Sequence, residues 1–303
     1  MNKNKYILAK VLCSFLPPIL AQRIRNSIIS VKDAEILALD FQKKSITGSY
    51  LEGNTSDFHA FKFSVHGYFD WRNIIIAQTI INKIKKGIII EVGANIGTET
   101  VSFADITKLN NRKTYAYEPV QSNFNFLTQL KLRNDLKNLE IKQCLVSDYN
   151  GFANFKVPTK NDSGSGFISN AAEDTAFEVI KLDSFHSNEE IALISVDVEG
   201  FEYQVLIGSS GLLEKEKPFL ILEVNRNYLE SRGKISVSDL YAFLDSLGYH
   251  CYYIKSLGLE KVDITNFKVY PNKNWVCIPK EFANSYKKIS KSIFLNAINP
   301  FLN

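Results

Sequence analysis

Cysteine is sparse in this 303-residue chain: Cys13, Cys144, Cys251 and Cys277 are its four. No two lie within four residues of each other, which excludes the paired spacing of a structural zinc site or a dithiol redox motif. Cys144, Cys251 and Cys277 sit in apolar, strand-like runs, where a cysteine acts as a small buried hydrophobe. A reducing cytoplasm suits that usage. Long apolar runs are missing too, since nothing reaches the roughly 18 uninterrupted apolar residues of a membrane-spanning helix. The longest early run, Val11 to Ala21, is broken by Ser14, Pro17 and Pro18. Three lysines precede it as in a secretory leader, but Ile19 stands where a cleavage site after Ala21 requires a small residue.

Acids are absent from both ends. Residues 1–32 carry Lys3, Lys5, Lys10, Arg23, Arg25 and Lys32, and residues 282–303 carry Lys287, Lys288 and Lys291, with no Asp or Glu in either stretch. The net charge of +4 therefore hides an acidic body of 27 basic against 32 acidic residues. An acidic body argues against a nucleic-acid partner. The ends mix their cations with Ile, Leu and Phe at helical spacing, as at Leu8, Val11, Leu12, Phe15 and Leu16, and at Ile289, Ile293, Phe294, Ala297 and Ile298. Two readings follow: these faces dock on the protein's own core, or they contact the inner face of a membrane.

Residues 1–85 read as a helical or irregular extension, 86–280 as the main domain and 281–303 as a basic amphipathic segment. From Lys86 the chain alternates apolar strand, turn and amphipathic helix, the pattern of an α/β fold with a doubly wound, mainly parallel sheet. Strands are expected at Gly87–Val92, Lys113–Tyr117, Ile141–Val146, Ala192–Val198 and Phe219–Val224, with Tyr249–Ile254 and Trp275–Ile278 closing the sheet. Helices fit between them, ending at Gly208 and Gly248 in two cases. Between Tyr149 and Leu182 the rhythm breaks, with an extra strand at Phe152–Val157 and a Gly/Ser loop at Asn161–Gly166. Such an insertion beside strand ends suits substrate contact.

Glu91-Val92-Gly93-Ala94-Asn95-Ile96-Gly97-Thr98 lies where a buried strand gives way to a helix. Glycines there permit a tight turn and close approach to a ligand. Asn95 occupies the middle position, so the loop is not the Gly-x-Gly-x-x-Gly of dinucleotide enzymes, and Glu91 and Glu99 disfavour a pyrophosphate. S-adenosylmethionine carries no phosphate but does carry an ammonium and a sulfonium. Glu118, about 20 residues on at the end of the next strand, is placed to accept ribose hydroxyls. The plainer alternative is that the glycines make a turn and Glu118 caps a helix.

These segments resemble the FkbM family of methyltransferases. Glu91 to Gly97 is similar to its first motif, although the family's usual Asp is replaced by Glu91. Tyr117-Glu118-Pro119-Val120 with Asn123-Phe124, Val146-Ser147-Asp148 with Gly151, and above all Val196-Asp197-Val198-Glu199-Gly200-Phe201-Glu202 resemble further blocks. Pro218 to Glu223 and Leu247-Gly248-Tyr249 extend the likeness over residues 68–280. The resemblance implies a Rossmann-like class I methyltransferase using S-adenosyl-L-methionine. In it Glu91, Gly93, Asn95 and Gly97 would cradle the methionine end, Glu118 would meet the ribose, Ser147 and Asp148 the adenine, and Ala94 and Pro119 would also belong to the cofactor site.

Asp197, Glu199 and Glu202 cluster at a buried strand's end, which is costly unless they face solvent, a cation or donors. Asp197 is expected to face the transferred methyl and the acceptor hydroxyl, with Glu199 orienting the acceptor or taking its proton. An acidic helix turn and a magnesium or calcium site are the alternatives, and no further ligand spacing supports the metal. His66 is the candidate general base among four histidines. It lies in an aromatic stretch, Phe58 to Trp71, suited to a lid, in which Tyr68 and Trp71 would stack on a sugar. The expected activity is O-methyl transfer to a hydroxyl, with a small-molecule, sugar or glycan acceptor, free or lipid-linked. The rivals are a methyltransferase-like binding protein without turnover and an NAD-dependent oxidoreductase.

Overall fold

The computed structural model describes residues 2–156, 166–168, 175–266 and 274–302. The expected Gly/Ser loop at Asn161–Gly166 lies, except for Gly166, outside them. Three helices open the chain: α1 (Asn2–Cys13), α2 (Pro18–Ile28) and α3 (Val31–Leu37). Pro18 starts α2 at the position where its missing N–H costs nothing, and Ser30 and Asp33 close a reciprocal capping box on α3. A hairpin, β1 (Asp40–Lys44) and β2 (Tyr50–Asn54), then precedes α4 (Phe58–His66) and α5 (Trp71–Lys83). The hairpin departs from the helical or irregular extension expected there. Its strands carry too few apolar residues to stand out, because only Phe41 and Leu51 face the core.

The central sheet is built from β3 (Ile88–Val92), α6 (Thr100–Leu109), β4 (Thr114–Tyr117), α7 (Gln121–Arg133) and β5 (Leu139–Lys142). A smaller sheet follows: β6 (Leu145–Val146), β7 (Gly151–Lys156), β8 (Phe167–Ile168) and β9 (Thr175–Ile180), leading into the short α8 (Leu182–Phe185). The chain returns to the central sheet with β10 (Ile191–Val196), α9 (Glu202–Ile207), α10 (Ser210–Glu216) and β11 (Phe219–Glu223). It finishes with α11 (Arg226–Ser231), α12 (Val237–Ser246), β12 (Tyr249–Lys255), β13 (Gly258–Lys261), β14 (Asn274–Pro279) and α13 (Ser285–Ala297). Gly248, at φ 81°, supplies the left-handed residue that turns the chain from α12 into β12.

The eight central strands lie in the order β13-β12-β14-β11-β10-β3-β4-β5. β5, β4, β3, β10 and β11 are mutually parallel, and the last three are antiparallel. This is the mainly parallel, doubly wound sheet expected from the sequence. All residues of β3 and β10 are buried, as two-sided coverage by helices demands. Each fully buried Ile or Leu there contributes about 1.5–3 kcal/mol relative to exposure. The winding reverses between β3 and β10, which opens a crevice at their carboxyl ends.

The single strand expected at Ile141–Val146 is two. β5 ends at Lys142 on the sheet edge, and Leu145–Val146 pairs in parallel with Val179–Ile180 of the smaller sheet. An edge strand has only one neighbour to hold it, so the chain leaves without breaking a second ladder. All four cysteines are buried and unbridged, in keeping with the sequence.

Candidate active site

One cavity of about 490 Å³ occupies the crevice. The loop after β3 supplies Gly93 and Asn95, the end of β4 supplies Glu118 and Pro119, and the end of β10 supplies Asp197 and Glu199. Val120, Leu145, Val146 and Phe155 give it an apolar lining, and Phe58, His59 and Phe69 line it as well.

Glu118 is the knot of this region. Its Oε2 accepts the amide of Asn95 at 2.8 Å, and its Oε1 accepts the amide of Val120 at 2.9 Å and Asn123 Nδ2 at 3.3 Å. Burial pushes its carboxyl up to about 7, against the pull of those donors. A carboxylate has about four acceptor positions, so one remains for a ligand. The side chain thus fastens the two loops to each other as well as facing the cavity.

Gly93 is required for a reason other than close approach to a ligand. A Cβ there would lie 1.9 Å from the carbonyl oxygen of Asp197, and its φ is 87°. The ends of β3 and β10 therefore touch backbone to backbone, joined by the Asp197 amide donating to Val92 O at 3.0 Å. Gly97, at φ 85°, makes room for Leu127 of α7 rather than for the cavity. Gly93→Ala should destabilise the protein by about 1–3 kcal/mol from backbone strain alone, with the clash against the Asp197 carbonyl adding to it. A urea midpoint within error of the parent would contradict this close packing.

Ala94, Gly97 and Glu91 do not line the cavity. Ala94 belongs to the core beside α7, and Glu91 is buried behind the loop. Burial raises the Glu91 carboxyl from its ordinary 4.5 to about 8. With the folded value above the unfolded one, its contribution to stability is complete below about pH 4.5 and is lost as pH rises through about 8. Glu91→Gln, fixed in the neutral form, should flatten the decline of stability across that window. Urea midpoints falling with pH as steeply as in the parent would refute a neutral buried Glu91. Ser147 and Asp148 do not line the cavity either, with Ser147 O packed against Gly208 and Asp148 exposed. The cavity is lined by Cys144, Leu145 and Val146 of that segment instead.

Asp197 lines the cavity and its side chain is exposed there. Desolvation first, then the neighbouring Glu223, Glu199 and Glu202, hold its carboxyl well above the ordinary range. Glu202 is buried and accepts the amides of Gly200 at 3.1 Å and Val198 at 3.3 Å, shaping the turn from within. Burial raises it to about 7. Glu199 lines the cavity in the left-handed region at φ 55°, unusual for a long side chain and typical of strained functional positions. Its carboxylate lies 3.6 Å from Arg232, which also donates to its carbonyl at 3.0 Å. Asp197, Glu199 and Glu223 each bring a carboxylate oxygen within 4.8 Å of the others, a spacing that hard divalent cations accept. Glu223 was not singled out by the sequence reading. The signal was there: a carboxylate closing an otherwise apolar strand, Phe219 to Leu222.

His66 is not brought to the cavity. It is the last residue of α4 and 1% exposed, and burial with Arg25, Lys43 and Lys62 nearby lowers its basicity well below the ordinary histidine value. Tyr68 and Trp71 are likewise fully buried in the core and present no sugar-stacking face. The register of α4 decides this, turning Phe58 and His59 to the cavity. The His59 and Phe69 rings meet at a tilt of 38° with centroids 4.6 Å apart, and Lys62 Nζ sits 3.7 Å from the centre of the Phe58 ring.

The Methyltransferase FkbM domain model matches residues 91–251, more than half of the chain and all of the loops just described except the aromatic stretch. The chain belongs to the FkbM methyltransferase family. Among solved structures, it is similar to an FkbM methyltransferase from Methylobacillus flagellatus KT. The two are 12% identical with a TM-score of 0.43, over 89% of this chain and 58% of that one. A precorrin-6y C5,15-methyltransferase from Geobacter metallireducens GS-15 is 11% identical with a TM-score of 0.36, over 68% of this chain and 85% of that one. An rRNA methylase from Streptococcus thermophilus is 10% identical with a TM-score of 0.40, over 68% and 91%. This FkbM chain thus spans 58% of the length of the Methylobacillus protein. No curated protein matches it.

Proposed function

We propose that this FkbM protein transfers a methyl group from S-adenosylmethionine to a hydroxyl of a sugar or glycan, free or carried on a lipid. The observation that carries the reading is the joining of Gly93, Asn95 and Glu118 with Asp197 in one cavity at the switch point of the sheet. Those residues fit the methyl donor: an apolar wall for a base, a buried acceptor at Glu118 for a ribose, and acidic side chains for its ammonium and sulfonium. The volume falls within the range of small-molecule sites, about 300–1,000 Å³. When bound, the donor supplies an activated methyl on a sulfonium.

The protein's own work is positioning and proton handling. In-line displacement demands that the acceptor oxygen be held against the methyl. Asp197, whose raised pKa makes its carboxylate a stronger base than an ordinary one, is suited in its ionised form to accept the hydroxyl proton. Glu199 is fixed by Arg232 and orients the acceptor, while Phe58, His59 and Phe69 offer aromatic faces to a sugar ring. A second reading follows from the three converging oxygens of Asp197, Glu199 and Glu223: a divalent cation there would orient the hydroxyl directly.

Incubation with methyl-labelled S-adenosylmethionine and a panel of sugars and glycans tests the activity. Label in a carbohydrate ether is the expected result. Label only in non-carbohydrate acceptors overturns the acceptor class, and donor bound without any transfer supports a binding protein.

A further inference from the structure

The terminal helices show which of their faces the protein uses and which it leaves open. At roughly 100° per residue, Tyr6, Ala9 and Cys13 share one side of α1. That side is buried against Ala21, Ile29, Phe61 and Val65. Ile7, Leu8, Val11 and Leu12 occupy the opposite arc and are 41–51% exposed. Phe15, in the turn that follows, is 75% exposed, and Leu20 on α2 is 44% exposed. Docking on the core therefore accounts for one face of α1 and leaves a second apolar face uncovered.

The cations sit where a lipid surface would meet them. On the same helical projection Lys3 and Lys10 flank the exposed arc on one side and Lys5 on the other. The C-terminal end repeats the design. Ile289, Ile293 and Ala297 of α13 are buried, while Phe294, Leu295 and, just beyond, Ile298 and Phe301 are exposed together with Lys287, Lys288 and Lys291. α2 packs against α13, so the two open faces belong to neighbouring elements. No acid lies in residues 1–32 or 282–303. Among the described residues no helix is long and apolar enough to cross a membrane, so contact would be with the surface.

We infer that α1, with the start of α2 and the outer face of α13, docks the enzyme on an anionic bilayer surface. Apolar side chains enter the acyl boundary and the flanking lysines meet acidic headgroups. Charge complementarity selects this occupant. An apolar protein partner would not need flanking cations free of acids, and an acidic protein would not need the exposed Phe and Leu.

Flotation of the full-length protein with vesicles tests this independently of catalysis. Binding is expected to phosphatidylcholine vesicles containing phosphatidylglycerol, with about tenfold less to phosphatidylcholine alone or in high salt. The double variant Leu8→Ser/Phe15→Ser, changed only at exposed positions, should lose about tenfold in vesicle affinity while keeping the parent's melting temperature. Lys287→Gln/Lys288→Gln/Lys291→Gln separates the contribution of α13 and should weaken binding to anionic vesicles alone. Full-length protein remaining unbound at low salt overturns the proposal, as does undiminished binding by the Leu8→Ser/Phe15→Ser variant. Concentration-dependent self-association abolished by the same variant, without vesicle binding, would assign the face to a second copy and equally overturn it.

Discussion

Asp197→Asn should lower turnover by about two to four orders of magnitude, the usual contribution of a positioned proton acceptor. Affinity for S-adenosylhomocysteine should change far less. The substitution keeps the shape of the side chain and its hydrogen bond through the backbone amide to Val92, so the packing of the two strand ends survives. Glu199→Gln should cost less, because its partner Arg232 also holds the backbone carbonyl and keeps the turn in place. Glu223→Gln offers a check on the assignment itself. Glu223 is one of the causes that lift the Asp197 carboxyl, so its neutralisation should move the acid limb of the kcat/KM profile to lower pH. Parent rates in both the Asp197→Asn and Glu199→Gln enzymes would make the cluster structural. Activity lost to EDTA and restored by magnesium would assign the three carboxylates to a cation.

Glu118→Ala should reduce affinity for S-adenosylmethionine at least tenfold, and the loss has two sources. One is the loss of the acceptor proposed for the ribose, with hydrogen bonds to a charged group worth roughly 1.5–3 kcal/mol each. The other is the release of the Asn95 and Val120 amides, which Glu118 holds at 2.8 and 2.9 Å. The second source also predicts a lower melting temperature without ligand. Glu118→Asp distinguishes them, since it keeps the charge and shortens the reach by one methylene. It should recover neither amide contact fully and should fall between alanine and the parent in both measurements. Calorimetry showing parent affinity in Glu118→Ala would remove Glu118 from the site.

The parallel strands were legible because burial on both faces leaves unbroken Ile, Val and Leu runs, as in Ile88–Val92 and Ile191–Val196. The loop from Gly93 and the acid at Glu118 were legible because a strand end, a glycine and a carboxylate stand at fixed separations along the chain. Long-range packing was not. Nothing local reveals that the space beside Gly93 is filled by the Asp197 carbonyl, or that Gly97 yields to Leu127. The aromatic stretch from Phe58 to Trp71 was visible as a feature, but only the helix register of α4 separates His59 at the cavity from His66 in the core. The hairpin at Asp40–Asn54 escaped notice for a related reason, because a small two-stranded element with one buried side chain per strand leaves little periodicity to read. At the termini the apolar spacing marked helices correctly. Helical spacing alone does not say which of two apolar faces finds a partner, and packing of Tyr6, Ala9 and Cys13 decided it.

The most direct measurement is the ligand dependence of the melting temperature of the full-length protein with S-adenosylmethionine, S-adenosylhomocysteine and NAD. A ligand at about 100 times its dissociation constant stabilises by about 2.7 kcal/mol, enough for a clear rise in Tm. The proposed function predicts a rise with both sulfur compounds, a much smaller one in Glu118→Ala, and none with NAD. Stabilisation by NAD without any by S-adenosylmethionine would contradict the reading of the cavity.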